Sequence, residues 1–337
     1  MRKQMPFAGL LVVLLTLLSC RGTLALAGAG GLGFGLIATS APQTVLDGWR
    51  PLLADLSAFL GQPVTPKIYE DYAGVIWAMG TGRAQVAWLG NKSAIEAVDR
   101  AGGEVALRSI DPAGRTEYFS HLLVRRDSGL TDVETVFARA GRLTFGDGDP
   151  NSTSGHAVPG YYLFASRGVS PRAVFKRVVS GNHEENFLGV ATGRLDVATG
   201  NSLDLKRHRQ RYPEFARDVV AIWTSPPIPS DPIVWRTDLP AGLKDRIRGF
   251  FLDYGRAAPG KSEARLARER AVLAALSRSG FEASDNSQLV PIRIIELYRE
   301  KLRLAAQNDP GREARQKRLE TIEAQLRQLR AMPAAHM

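Results

Sequence analysis

The sequence has little cysteine and little histidine, and beyond its first residues it has no long apolar run. Its single cysteine, Cys20, excludes an intrachain disulfide and leaves the folded body without a thiol for catalysis or zinc binding. The five histidines include no pair at ligand spacing, so we expect no metal site. The Gly-x-Ser-x-Gly motif of hydrolases is also absent. These absences predict a protein that is not an enzyme and carries no cofactor.

The composition is that of a folded protein with a moderate positive charge. Hydrophobic residues make up 44% and charged residues 23% of the 337 residues, which suits about two domains with a sizeable core. The formal net charge is +10, and it falls to +7 without the three basic residues of the first 27. An excess of this size suits a small anionic ligand or an anionic surface, and it does not indicate nucleic acid.

The first 27 residues have the pattern of an export signal. A basic start precedes the apolar run Phe7–Leu18, which is short for a membrane span and typical of a signal-peptide core. Two cleavage positions are open: after Ala27, or before Cys20 in the lipobox-like sequence LLSC, which would leave an acylated cysteine. Both predict a periplasmic protein whose only membrane contact is a membrane partner or a lipid on Cys20.

Short apolar runs that alternate with helix-like patterns predict an α/β architecture with mostly parallel sheets. A strand at Gly33–Ala38 precedes a helix over Val45–Leu60, and the same order recurs between residues 143 and 198. A charged helical tail ends the chain. Its single apolar stripe either packs on its own domain or forms a homodimer seam, and it consists of Leu319, Ile322, Leu326 and Leu329.

One segment matches a nucleotide-binding motif. Gly255–Ser262 fits the P-loop pattern letter for letter, which makes a nucleotide-binding enzyme an alternative function. A P-loop follows a buried strand, whereas Leu243–Tyr254 has apolar residues at helical spacing. We therefore expect a turn between two helices there. The zincin-like sequence HEENF is also incomplete, because Phe187 stands where the second histidine is required.

The segment richest in chemistry lies in the middle of the chain. A strand near Leu143 runs into a turn rich in glycine, aspartate and asparagine, and the hydroxyl residues Ser152, Thr153 and Ser154 follow at the start of a helix. The first amide hydrogens of a helix lack partners, and its dipole is positive there, so this arrangement attracts an anion. Taken alone, it also fits an ordinary helix cap.

Several blocks of sequence resemble one family. They are DPNSTSGHAVPGYY at 149–162, DYAG at 71–74, WLGNKSAIEAVDR at 88–100, DVAT at 196–199 and IPSDPIVWR at 228–236. In this order they are similar to blocks of the periplasmic phosphonate-binding proteins of bacterial ABC importers, and they cover nearly all of residues 32–304. The resemblance implies a type II periplasmic-binding-protein fold, in which two α/β lobes joined by a two-stranded hinge close over a ligand.

The resemblance also implies boundaries and partners. Lobe one takes residues 30–123 and 232–300, lobe two takes 124–231, and a helical tail takes 301–337. The implied function is to bind a phosphonate or related phosphorus oxyanion and deliver it to an ABC permease with its cytoplasmic ATPase. A sensory binding protein of the same fold is the alternative.

The implied ligand site is a set of matched positions. The phosphonate group is gripped by the hydroxyl triplet with help from a histidine, two tyrosines line the cleft from the opposite lobe, and one carboxylate approaches a ligand amine. The matching residues are Ser152, Thr153, Ser154, His183, Tyr72, Tyr118 and Asp231.

This chain departs from the family at the amine end. Members that bind 2-aminoethylphosphonate read Asn-Asn-Thr-Glu where this chain reads Gly200–Leu203, so Leu203 replaces the glutamate that pairs with the amine. Asp204 follows, and we expect its side chain to point elsewhere. A lost charge-assisted partner typically costs a few kcal/mol. The sequence thus predicts a preserved phosphonate end and leaves the preferred phosphonate, phosphite or phosphate ester open.

Overall fold

The structure is a computed structural model, and it describes residues 31–306 and 312–332. The predicted signal segment with Cys20 therefore lies outside the described residues. Within the described ranges, no helix is both long enough and apolar enough to cross a membrane.

Thirteen strands and eleven α-helices are found in the described part of the chain. The strands are β1 (Leu32–Ile37), β2 (Val64–Tyr69), β3 (Val86–Trp88), β4 (Gly103–Ile110), β5 (Glu117–Tyr118), β6 (Ser120–Arg125), β7 (Thr144–Asp147), β8 (Arg177–Ser180), β9 (Val197–Asn201), β10 (Val219–Thr224), β11 (Ile228–Pro229), β12 (Pro232–Arg236) and β13 (Gly280–Ala283). The helices are α1 (Pro42–Leu60), α2 (Tyr72–Gly80), α3 (Asn91–Arg100), α4 (Val133–Arg139), α5 (Pro171–Val174), α6 (His183–Ala191), α7 (Ser202–Arg211), α8 (Ala241–Asp253), α9 (Glu263–Ala275), α10 (Val290–Ala305) and α11 (Arg312–Arg330). Wide helical turns also occupy Thr153–Ala157 and Gly160–Phe164.

The strands form two main sheets. The first sheet has the order β13-β4-β12-β3-β1-β2, and the second has the order β10-β6-β9-β7-β8. Pairing is parallel for β1 with β2 and β3, and for β7 with β8 and β9. It is antiparallel around β12 and β6, the strands next to the crossings between the sheets. The α/β architecture is confirmed, and the sheets are mixed rather than mostly parallel because the crossing strands enter from the opposite end.

The chain crosses between the two sheets at a small two-stranded element. It leaves the first sheet through β5 and returns through β11, and these strands pair antiparallel with Tyr118 opposite Ile228. The two crossings therefore run side by side, as a two-stranded hinge requires. The exact lobe boundaries at residues 123 and 231 stay a prediction.

Apolar side chains cover both faces of each sheet. Helix α1 buries Trp49, Leu52, Leu53 and Leu56 at helical spacing against the first sheet. In the second sheet, Phe145 packs on one side and Phe187 on the other, and both are fully buried. Each sheet thus has its own apolar core, and polar residues line the space between the two sheets.

The P-loop match is a turn between helices. Helix α8 ends at Asp253 and α9 begins at Glu263, and no strand precedes the motif. The Lys261 Nζ lies 2.7 Å from Glu269 Oε2 and donates to the Asp253 carbonyl oxygen at 2.7 Å. The lysine that would bind a phosphate is therefore held in a buried ion pair inside the turn, which confirms the predicted helix–helix turn.

The charged tail packs on the body of the same chain. Ile322 and Leu326 of α11 are buried against Leu304, Leu297 and Ile294 of α10. The prediction that the stripe packs on its own domain is confirmed. Because α10 covers these side chains, they offer little apolar area for the homodimer seam considered above.

Candidate ligand-binding site

The hydroxyl triplet follows β7 through a tight turn. The Gly148 amide donates to the Gly155 carbonyl oxygen at 3.0 Å, and a Cβ on Gly148 would lie 2.6 Å from the Gly155 carbonyl carbon. Only glycine permits this close approach. Ser152 caps the helix by accepting the Gly155 N–H at 3.0 Å. The strand-to-helix order and the helix cap are as the sequence predicts.

All eight residues singled out from the sequence border one cavity. This inner cavity measures about 40 Å³ and lies between the two sheets. A space of that size indicates a closed cleft that fits a small head group. The predicted residues that line it are Tyr72, Tyr118, Ser152, Thr153, Ser154, His183, Leu203 and Asp231.

Thr153 connects the two sides of the cleft. Its Oγ1 accepts the backbone N–H of Lys92 at 2.8 Å, and Lys92 is in the first turn of α3, which packs on the first sheet. The carbonyl oxygen of Ser154 accepts the Ser120 hydroxyl of its own sheet at 2.6 Å. All three hydroxyl residues of the triplet are 2% exposed. Thr153 Oγ1 donates to no other side chain or carbonyl in residues 31–306 and 312–332, so its hydrogen can be donated into the cavity.

The two tyrosines are buried hydroxyl donors. Burial raises the pKa of Tyr72 and of Tyr118 well above the usual phenol range. Tyr72 interacts with Ser152, and Tyr118 interacts with Ser154 and Asp231. Both phenols therefore stay protonated at physiological pH, so they can donate hydrogen bonds to an anion without repelling it.

Asp231 is an unsatisfied buried carboxyl. It follows β11, and its Oδ1 is buried without a hydrogen-bond partner among the described residues. Burial raises its pKa to about 7, although the nearby charge of Arg278 acts in the opposite direction. The carboxyl therefore titrates near neutral pH, and its Oδ1 is open to a ligand.

His183 and Asp204 face each other in the cavity wall. His183 begins α6, and its Nε2 lies 3.9 Å from Asp204 Oδ2. Burial lowers the pKa of His183, so its imidazole is neutral at physiological pH. Burial alone would raise the pKa of Asp204, but the charge of Arg207 and a hydrogen bond from Asn201 help to hold it below the usual range.

The expectation that Asp204 points away from the site is wrong. Asn201 caps α7 by accepting the Asp204 N–H at 2.8 Å, so Leu203 and Asp204 lie in the first helical turn. Successive helical residues are turned by about 100°, not by the half turn of a strand, and both side chains reach the cavity. Arg207 and Asn201 then hold the Asp204 carboxylate.

Sequence reasoning missed Arg278, which also lines the cavity. Its Nε donates to Ser109 Oγ at 3.0 Å, and its guanidinium lies about 5 Å from the rings of Trp49 and Trp88. Ser277 before it has φ of 56°, a left-handed conformation that is unusual for a residue other than glycine. The position of the Arg278 side chain depends on Trp49 and Trp88, which are distant in the sequence, and on the backbone at Ser277. No periodic sequence pattern therefore indicates it.

Contacts outside the cavity also join the two sides. Glu184 of α6 accepts the backbone N–H of Ala41 at 2.7 Å, directly before α1, and it accepts the Tyr212 hydroxyl at 2.7 Å. Arg211 donates to Thr44 Oγ1 at 2.7 Å. A carboxylate at a helix N-terminus is electrostatically favourable, so elements of the second sheet cap a helix of the first.

Comparison with known proteins shows the family to which the chain belongs. The family model described as the periplasmic phosphonate substrate-binding protein of ABC transporters matches residues 34–289. The chain belongs to this family. A curated relative, the phosphonates-binding periplasmic protein of Escherichia coli (strain K12), is 43% identical over 269 residues, which cover 80% of this chain and 77% of the relative.

Solved structures agree with the family. A binding-protein component of a phosphonate ABC transporter from Pseudomonas aeruginosa superimposes with a TM-score of 0.82 at 40% identity, covering 89% of this chain and 96% of the other. A Prochlorococcus marinus protein in complex with methylphosphonate shares the fold, with a TM-score of 0.68 and 21% identity over 78% of this chain and 96% of its own.

Family membership confirms the sequence-based predictions of fold and broad function. The protein is a periplasmic phosphonate-binding component of an ABC transporter, and such a component acts with a permease and an ATPase. The family consists of binding proteins rather than enzymes.

Proposed function

We propose that the inner cavity holds the phosphonate group on Ser152, Thr153 and Ser154, with donors added by Tyr72 and Tyr118. The observation that carries this proposal is the buried hydroxyl triplet at a helix start, whose Thr153 hydroxyl donates to no other described residue. Neutral hydroxyls and first-turn amides stabilise a buried oxyanion because each oxygen receives a donor and no counter-charge has to be desolvated.

The same proposal assigns the lobes. Lobe one is residues 30–123 and 232–300, lobe two is residues 124–231, and the β5–β11 pair is the hinge between them. Ligand closes the lobes by bridging the hydroxyl triplet of lobe two and the tyrosines of lobe one. The closed form is then presented to the permease. Both cleavage predictions for the leader, after Ala27 and before Cys20, place this cycle in the periplasm.

Replacing Thr153 with Ala tests the proposal. We expect phosphonate affinity to fall at least about tenfold, or ~1.4 kcal/mol, because a ligand oxygen loses its donor and the Lys92 N–H loses its acceptor in a closed site. Calorimetry with methylphosphonate is the measurement. Thr153→Ser keeps the hydroxyl and should bind nearly as the native protein does, and Ser166→Ala, at the exposed end of the same helical segment, is the control. Unchanged affinity in Thr153→Ala would refute the assignment.

Replacing Glu184 with Ala tests closure. Glu184 does not border the inner cavity, yet it joins α6 to the start of α1. Losing a charged acceptor costs about 1–3 kcal/mol, so we expect about tenfold weaker phosphonate binding through a smaller closed population. Small-angle scattering should show a more expanded ligand-free protein. Glu184→Gln retains an acceptor and should have a smaller effect. If Glu184→Ala is as compact as the native protein and binds phosphonate as tightly, the contact between Glu184 and Ala41 does not stabilise the closed form.

A further inference from the structure

A second, larger cavity adjoins the inner cavity. This outer basic cavity measures about 400 Å³, and it shares Asp111, Leu203, Ser277 and Arg278 with the inner cavity. Ser152, Thr153 and Ser154 do not border the outer basic cavity. A ligand held by the triplet and reaching past Leu203 therefore extends its substituent toward this space.

The charges around this path are mainly positive. Five cations border the two cavities, against three carboxyls: Arg115, Lys206, Arg207, Arg270 and Arg278, against Asp111, Asp204 and Asp231. By contrast, the space on the other side of the triplet is bordered by the acids Glu70, Asp149 and Glu185 and by no lysine or arginine. The cleft thus has a basic side at Leu203 and an acidic side beyond Ser152.

The carboxyls on the basic side already have partners or are partly neutral. Asp111 accepts two guanidinium hydrogen bonds from Arg115, at 2.9 and 2.7 Å. Asp204 is held by Arg207 and by Asn201. Asp231 is the exception, and burial raises its pKa to about 7, so it carries less than a full charge at neutral pH. The cations therefore outweigh the carboxyls that a ligand meets.

Arg278 supplies an unused donor at the junction. The residue is 8% exposed, its Nε donates to Ser109, and its Nη1 donates to the Leu276 carbonyl oxygen at 3.0 Å. Its Nη2 makes no hydrogen bond within the described ranges. A buried guanidinium with a free edge favours an anionic oxygen, whereas an ammonium brought beside it is repelled.

We propose, on the basis of the proposed function, that this protein prefers phosphonates whose substituent carries a carboxylate or similar anionic group. The phosphonate group binds the hydroxyl triplet, and the second anion meets Arg278 at the entrance to the outer basic cavity. Leu203 packs on the carbon between the two groups. The chemistry is that of a short phosphonocarboxylate rather than an aminoalkylphosphonate.

A calorimetric panel of ethylphosphonate, 2-aminoethylphosphonate and phosphonoacetate tests this on the mature chain. We expect phosphonoacetate to bind at least about tenfold more tightly than either of the others, from one charge-assisted contact. If ethylphosphonate binds and phosphonoacetate binds no better, the inference is overturned and the proposed function stands. If none of the three binds, the proposed function fails with it.

Two variants locate the contact. Arg278→Gln should reduce the ratio of phosphonoacetate to ethylphosphonate affinity about tenfold. Lys206→Glu changes an exposed residue in the wall of the outer basic cavity, and it should reduce the same ratio severalfold even where Arg278→Gln fails to fold. Lys317→Glu, exposed on α11, has the same charge change and should leave the ratio as it is. A ratio unaffected by Lys206→Glu and by folded Arg278→Gln would overturn the assignment.

Discussion

Replacing Asp231 with Asn is expected to raise the free energy of unfolding at pH 8 by as much as about 4 kcal/mol. Asp231 is the buried carboxyl whose Oδ1 has no partner in the described part of the chain, and burial raises its pKa from 3.8 to about 7. Each unit of pKa difference between folded and unfolded protein is worth about 1.4 kcal/mol. At high pH the native protein is therefore destabilised by the buried charge of Asp231, and asparagine has no such charge.

The sign follows from the protons bound. Between about pH 4 and 7 the folded protein keeps the Asp231 proton and the unfolded chain loses it, so native stability falls as the pH rises across that window. The stability that the Asp231 proton contributes is present in full below the pKa of Asp231 in the unfolded chain. It is lost above the pKa of Asp231 in the folded protein. The two proteins should thus have similar stability near pH 4 and differ most at pH 8.

Urea unfolding of both proteins between pH 4 and 8 measures this difference. Asp245→Asn is the matched control, because this aspartate is exposed and makes only a 3.7 Å pair with Arg248; surface changes of this kind usually shift stability by about 0.5 kcal/mol or less. A constant difference between Asp231→Asn and the native protein across the pH range would show that Asp231 titrates normally.

Local signals made much of the fold and the phosphonate end predictable. The order of strand, glycine-rich turn, hydroxyl triplet and helix occupies about twenty consecutive residues, so its geometry follows from neighbouring residues alone. The helix–helix turn at Gly255–Ser262 was predictable for the same reason, since the apolar spacing before it is helical. Tyr72 lies in a family-like block, Tyr118 and His183 were matched to the family's site between such blocks, and the structure brings all three to the same cavity.

The far end of the cleft was not predictable in the same way. Arg278 reaches the cavity because Ser277 adopts a positive φ and because Trp49 and Trp88, far away in the sequence, surround the guanidinium. Asp204 was misjudged because its side chain was expected to point away from that of Leu203, whereas the first turn of the helix capped by Asn201 brings both to the cavity. Arg278 and Asp204 both follow a change in backbone conformation, a left-handed residue in one case and a helix start in the other. Leaving them out changed the charge assigned to the site.

Replacing Leu203 with Glu is expected to reverse the ligand preference of the cleft. The change introduces the carboxylate that the family resemblance implies for binding of 2-aminoethylphosphonate, so the amino ligand should bind at least about tenfold more tightly. Phosphonoacetate should weaken by about a hundredfold, because its carboxylate would face a second carboxylate in a buried site and because the introduced glutamate would occupy the guanidinium of Arg278.

The decisive measurement is calorimetry of 2-aminoethylphosphonate, ethylphosphonate and phosphonoacetate on the native protein, Leu203→Glu and Leu203→Gln. Glutamine has nearly the shape of glutamate without its charge, so a change shared by both variants reflects lost packing of Leu203 and not electrostatics. Ethylphosphonate should bind Leu203→Glu equally or more weakly, since the new carboxylate would be unpaired beside an alkyl group. If the native protein already prefers the amino ligand by orders of magnitude and Leu203→Glu changes nothing, Leu203 does not face the substituent. The basic side of the cleft then has no part in choosing the ligand.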